Sequence, residues 1–245
     1  MPRASITKLM TSLIVVESNL DLDQILVVDQ HDRDNLKNTY SRVRFGTHVS
    51  RRDALNLALM SSENRMASAL GRHYPGGIKA FVAAMNRKAR QLGMHDTRFF
   101  DSSGLNSRNV STARDLATLI SASARHPLIR NYSTDEQRAM RFGKPNYGLQ
   151  FNNTNPLVKN DSWHVKLQKT GFTNEAGRCL VMLAKPGRRE LAIVLLDSSG
   201  KRSPIGDAGR IRTWLEGGKP APVPQHARAY AQARQKQIGR LTAAR

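Results

Sequence analysis

The sequence predicts an α+β fold, with a helical lobe in the first half of the chain and an antiparallel sheet flanked by helices in the second. Three observations predict it. Apolar residues recur at helical spacing through the first half, as at Phe81, Val82, Met85 and Ala89, with Gly93 as a stop. Three runs of strand formers, 163–169, 177–184 and 190–196, follow one another across short turns, so neighbours are expected to pair antiparallel. Between these halves the texture changes: residues 132–160 are polar and rich in Asn, Pro and Gly, a connecting region with short elements.

Taken in order, a first helix runs over about 5–18, carried by Ile-Thr-Lys-Leu-Met-Thr-Ser-Leu-Ile-Val-Val. A short strand-like run at 24–28 leads into the polar stretch 29–44, expected to be a long excursion with little core. Ser50 is the N-cap expected for a helix over 51–60, and another helix follows over 65–71. Gly76-Gly77 precedes the patterned helix 78–92. The stretch 97–109 reads as loop, and Ser111 or Thr112 caps a helix over 113–123. A closing helix over 207–215 has Ile211, Trp214 and Leu215 to lay on a sheet face. The remainder, 217–245, is basic, rich in Pro and Ala, and free of acids; a linker with a loose helix at 227–238 and a disordered tail are both compatible with it, and a solvated tail is expected. Residues 1–216 then form one domain and 217–245 a tail.

At 245 residues the chain is long enough for a sizeable core, and no apolar run approaches the length of a membrane span. The net charge of +20 points to nucleic acid, an anionic membrane surface or an anionic polymer substrate. Nucleic acid is disfavoured, because no basic cluster is interleaved with aromatics. The single cysteine, Cys179, excludes an intrachain disulfide framework and sits in an apolar run as a buried thiol. Seven histidines are present without the spacing of a metal site, so neither metal nor cofactor is expected.

Chemistry enters with Ser5 and Lys8. Three residues apart on a helix, they share a face. A serine hydroxyl needs an adjacent base to act as a nucleophile, and a lysine can be that base when burial lowers its pKa. Ser5 is equally open to reading as a helix N-cap, and a second S-x-x-K occurs at Ser198–Lys201, where Gly200 indicates a turn. Ser62 and Asn64 offer a hydroxyl and an amide between two helices, for proton relay and substrate binding or, again, for capping. Ser107-Arg108-Asn109 duplicates their spacing. Lys169-Thr170-Gly171 lies at the end of the first strand run. It can be a solvated strand end entering a turn, or a cation and a hydroxyl for a terminal carboxylate beside a glycine that admits a ligand backbone.

In this order the three motifs form the signature set of penicillin-binding proteins and serine β-lactamases. The segments 4–11, 62–67, 84–86, 92–94 and 111–117 are similar to low-molecular-mass penicillin-binding proteins, the D-alanyl-D-alanine peptidases. The run 167–179 most resembles their endopeptidase branch, the penicillin-binding protein 7 type. The resemblance covers about 2–216.

It implies a transpeptidase-like fold with the site between the helical lobe and the sheet. Ser5 would attack the carbonyl between two D-amino acids, with Lys8, its pKa lowered by burial and by nearby Lys169, as the base. Ser62 would pass the proton to the leaving amine, and Asn64 would bind the substrate amide and orient Lys8. Lys169 and Thr170 would hold the carboxylate of the leaving-group side beside Gly171. The backbone N–H groups of Ser5 and Phe172 would form the oxyanion hole, the Phe172 side chain taking no part. The expected partners are peptidoglycan peptides, with β-lactams as covalent inhibitors, and a weak electrostatic contact of the basic tail with anionic membrane or wall polymer. The expected activity is D-alanyl-D-alanine endopeptidase. A carboxypeptidase trimming pentapeptides is the first alternative, and a serine β-lactamase or a non-catalytic binder of anionic wall polymer are more distant ones. Relatives carry a secretion signal and sheet strands before the nucleophile helix. The resemblance therefore implies a periplasmic protein whose leading strands are missing from this chain, leaving about three strands in the sheet and an apolar edge near 193–195.

Overall fold

The computed structural model describes residues 1–2, 4–219 and 221–243, the side chains of 238–243 excepted. Eight α-helices are described. The first, α1 (Thr7–Glu17), is buried on every side from Thr7 to Val15. A helix apolar all round belongs at the centre of a bundle, and α1 packs against α2 (Arg51–Met60), α3 (Asn64–Arg72), α4 (Gly77–Gln91), α5 (Ala113–Ser123) and α6 (Pro127–Thr134). Its polar residues are satisfied: Thr11 Oγ1 donates to Ser102 O at 2.6 Å and Ser12 Oγ to Lys8 O at 2.7 Å. The caps follow side-chain chemistry. Ser50 Oγ accepts from Asp53 N, and Thr112 rather than Ser111 accepts from Asp115 N.

The principal sheet is antiparallel, in the order β5 (Val165–Thr173), β6 (Gly177–Ala184), β7 (Leu191–Ser198). One face joins the helical core through Leu167, Cys179 and Val181. The other closes over Leu180, Met182 and Ile193 against α7 (Ser203–Gly217). With cores on both faces, β6 reads as a continuous apolar run rather than an alternating one. Three strands is the expected number, and β7 is an edge among the described residues. Ile193 is nevertheless buried, with Val194 and Leu195 half-buried.

Several expectations need correction. The K-T-G segment lies inside β5, which continues to Thr173, and not at a strand end. The stretch 132–160 holds the last residues of α6 and then a hairpin of β3 (Gln137–Phe142) and β4 (Tyr147–Asn152). Met140 and Phe142 on β3 and Tyr147, Leu149 and Phe151 on β4 alternate with exposed residues, which gives this hairpin one buried face. The excursion 29–44 buries more than expected, since Val43 and Asp32 are inside and Asp32 pairs with Arg72 at 2.7 Å. It is preceded by β1 (Ile25–Val27), which pairs with β2 (His48–Ser50). On α7, Pro204 and Ala208 are the buried residues, with Ile211 packed beside them, whereas Trp214 and Leu215 are exposed. The tail forms α8 (Gln225–Ala243) rather than a wholly solvated segment. Tyr230 Oη donates to Asp197 Oδ1 at 2.7 Å and Arg234 Nε to Asp197 Oδ2 at 2.8 Å. Of the tail expected over 217–245, Pro220, Ala244 and Arg245 lie outside the described residues. No described helix is long and apolar enough to cross a membrane.

Candidate active site

Ser5 stands on a 3-10 turn, Ala4–Ile6, immediately before α1. The helix cap is Ile6, without a side-chain bond, so the Ser5 hydroxyl is not used in capping. It accepts instead from Lys8 Nζ at 2.9 Å. Lys8 is fully buried, and its other two N–H groups go to Asn64 Oδ1 and Ser103 O, both at 2.7 Å. Three acceptors therefore match the three donors of the ammonium. When the amine is neutral it keeps two donors, for Asn64 and Ser103, and its lone pair can face the Ser5 hydroxyl. Burial is the main cause that lowers the Lys8 pKa to about 8, opposed by the nearby carboxylates of Asp101, Glu63 and Asp34. Lys169, also fully buried, is held well below its ordinary value, first by burial and then by the Lys8 cation. The expected lowering of Lys8 is thus due chiefly to burial, and the lysine–lysine repulsion is felt at Lys169.

Glu63, not Ser62 or Asn64, caps α3 by accepting from Arg65 N. That leaves Asn64 free for two bonds, Lys8 through its oxygen and Thr39 Oγ1 through its nitrogen at 2.9 Å. Ser62 has φ of 62°, a left-handed conformation that costs a non-glycine residue energy and recurs at functional sites. No described residue hydrogen-bonds its hydroxyl, which faces the same cleft as Ser5.

The cleft encloses about 510 Å³ and is lined by Ser5, Ser62, Asn64, Thr170, Gly171 and Phe172, among others. The other wall is β5, an edge strand, so alternate backbone groups face away from β6 and are open to an extended ligand. Thr170 Oγ1 donates to Thr154 Oγ1 at 2.7 Å, and Lys169 Nζ donates to Thr170 O at 3.1 Å. The Phe172 ring is exposed and carries the Arg178 guanidinium 3.7 Å from its centroid. All eight sequence-predicted site residues therefore belong to one cleft or, for Lys8 and Lys169, to the buried layer behind it. Neither duplicate motif does the same. Asn109 is structural, its Oδ1 accepting from Phe100 N, and Ser198 Oγ donates to Asp207, while Lys201 only lines the cleft.

Sequence reasoning missed Asp101. Its Oδ1 accepts from Gly104 N and Asn109 Nδ2, and its Oδ2 from Leu105 N and Asn106 N, at 2.6 to 3.0 Å. This knot fixes the loop that presents Ser103 O to Lys8. The run Asp101-Ser102-Ser103-Gly104 is a turn signal that could have drawn notice. Gly104 has φ of +90°, and a Cβ there would come within 1.9 Å of Ala4 O. The glycine is what lets this loop touch the turn that carries Ser5. Also missed were the cations on the cleft wall, Arg178, Lys201 and Arg202.

A family model described as D-alanyl-D-alanine carboxypeptidase, of the peptidase S11 group, matches residues 1–200. The chain belongs to this family. Within it, the chain is 50% identical over 237 residues to the D-alanyl-D-alanine endopeptidase of Escherichia coli, covering 97% of this chain and 76% of that one. It is 49% identical to the endopeptidase of the same name from Pseudomonas aeruginosa, covering 97% and 77%. The Streptomyces K15 DD-transpeptidase superposes with a TM-score of 0.80 at 27% identity, covering 87% of each chain. Penicillin-binding protein D2 of Listeria monocytogenes, in an ampicillin-bound form, does so with 0.72 at 30%, covering 86% and 85%. The expected transpeptidase-like fold and serine-type D-Ala-D-Ala peptidase class thus hold for this member of the family.

Proposed function

We propose that this chain is a penicillin-sensitive D-alanyl-D-alanine endopeptidase that opens peptidoglycan crosslinks through an acyl-enzyme on Ser5. The observation that carries the reading is the fully buried Lys8, lowered to about 8 and hydrogen-bonded to Ser5 Oγ. In the neutral amine, the lone pair takes the Ser5 proton as Oγ attacks the D-alanyl carbonyl. The oxyanion is stabilised by the backbone N–H groups of Ser5 and Phe172. Collapse of the tetrahedral adduct breaks the C–N bond; Ser62 hands its hydroxyl proton to the departing amine and takes in its place the proton held by Lys8, which returns to the neutral amine. Water then hydrolyses the ester and returns the proton to Ser5. Asn64 orients both Lys8 and the substrate amide, while Lys169 and Thr170 hold the carboxylate on the leaving-group side, next to Gly171. The names of the 49–50% identical relatives support an endopeptidase. Such a substrate places the protein in the periplasm, where the basic tail is available for loose contact with anionic lipid or wall polymer.

Mass spectrometry after incubation with a penicillin tests the nucleophile: one adduct is expected on the peptide carrying Ser5 and none in Ser5→Ala. Incubation with crosslinked muropeptide dimers tests the reaction, with monomers as the expected product. Release of D-Ala from pentapeptides with the dimer left intact would instead assign a carboxypeptidase, the activity in the family's own description. Rapid repeated turnover of nitrocefin would assign a β-lactamase.

A further inference from the structure

A second depression, about 530 Å³, lies beside the start of α3, between the loop 40–45 and β4. Arg42, Arg44 and Arg65 converge on it, and each guanidinium lies over an aromatic ring. The distances to the ring centroids are 5.1 Å from Arg42 to Phe151, 4.6 Å from Arg44 to Tyr147 and 4.0 Å from Arg65 to Phe45. Arg42 Nη2 donates to Gln150 O at 2.6 Å and Arg65 Nη1 donates to Val43 O. No carboxylate among the described residues pairs with any of the three. The nearest acid in sequence, Glu63, has its Oε1 engaged by Ser41 Oγ and Arg65 N. Three like charges drawn together repel one another, and no carboxylate forms an ion pair with them. The rings seat the guanidinium groups by cation–π attraction and leave N–H groups to spare for a carboxylate.

The depression is joined to the catalytic cleft along two routes. Asn64, bonded to Lys8, directly precedes Arg65, and its amide also donates to Thr39 in the loop that continues to Arg42. On the other side, β4 starts at Tyr147 in the depression and leads to Thr154, which holds Thr170 in the cleft. At about 3.3 Å per extended residue, that path spans roughly 20 Å. A terminal dipeptide seated at Ser5 brings one carboxylate, which the proposed reading assigns to Lys169 and Thr170. A second peptide strand joined through a crosslink is long enough, and γ-linked glutamyl residues leave α-carboxylates free along it.

We infer that the Arg42–Arg44–Arg65 depression is a second substrate subsite, which takes the free carboxylates of the distal peptide strand of a crosslinked substrate. It deepens the endopeptidase reading and rests on it.

The test uses the full chain carrying Ser5→Ala, which binds without cleaving, and a crosslinked tetrapeptide dimer in two forms. One is the free acid; the other is amidated only at its glutamyl α-carboxylates. Calorimetric titration is expected to give about tenfold tighter binding of the free acid, as one or two charge-assisted pairs supply. Adding Arg42→Gln and Arg44→Gln should abolish that preference, and Arg42→Lys with Arg44→Lys should keep part of it. Equal binding of the two probes by the Ser5→Ala protein overturns the subsite. So does a preference that survives in a folded glutamine variant. Should the glutamine variant lose its thermal transition, the free-acid and amidated comparison in the parent and the lysine variant decides. Cleavage of the dimer by the unsubstituted chain is read separately. Cleavage without a carboxylate preference overturns the subsite alone, and a preference without cleavage overturns the endopeptidase reading alone.

Discussion

Lys8 Nζ donates to Ser5 Oγ across 2.9 Å from a position with no solvent exposure. The pair couples a hydroxyl that faces a cleft to an amine that water does not reach; in the proposed mechanism the charge state of that amine sets when the hydroxyl reacts.

Acylation of Ser5 by a penicillin should therefore rise with pH, close to tenfold per unit well below pH 8, and level off above it. Only the neutral amine can accept the proton, and the Lys8 pKa is about 8. Stopped-flow acylation rates from pH 6 to 9.5 measure this. A flat profile would remove Lys8 as the base.

The same shift has a stability consequence. Lys8 drops from 10.5 to about 8 on folding, so between these pH values the unfolded chain holds a proton that the native chain has released. Stability then increases with pH across that window, by about 3 kcal/mol in total from this group. Below pH 8 the full cost is present, and above 10.5 it is gone. Lys169, lowered in the same direction, adds to the effect. Urea unfolding of the parent and Lys8→Met at pH 7, 9 and 10.5 should show the variant's advantage shrinking as pH rises.

Asp101→Asn should cost about 2 kcal/mol, because one acceptor oxygen facing two N–H groups becomes an NH2. Asp101 also raises the Lys8 pKa, so the variant's acylation profile should move to lower pH. A stability loss with an unmoved profile would limit Asp101 to a scaffold role.

Gly104→Ala should be among the most damaging single-methyl changes in the chain, at about 3 kcal/mol or more, since φ of +90° and the Ala4 carbonyl both oppose a Cβ. Thermal melting measures the stability, and the rate of penicillin labelling should fall with it as Ser5 is displaced.

Much of the fold was legible because its signals are local. Ser50 and Thr112 cap helices as their side chains suggest, and 177–184 was read to the residue because a doubly buried strand needs an uninterrupted apolar run. The β3–β4 hairpin escaped notice because Arg138 interrupts its otherwise apolar face, and that arginine finds its carboxylate at Asp53, far away in sequence. Trp214 and Leu215 misled because helical periodicity says which residues share a face and not which face is covered. In the site, Ser5, Asn64 and Lys169 were legible from types and order. Asp101 and the Arg42–Arg44–Arg65 group were not, since their meaning depends on backbone groups and rings brought together by folding.

The hydrogen bonds of Lys8 to Asn64 and Ser103 cross 56 and 95 residues of chain. Closing such loops is entropically costly and slow relative to forming helices. Penicillin labelling therefore doubles as a clock for refolding: helical ellipticity should return first, and the ability to trap the antibiotic only when the last long-range closure is made.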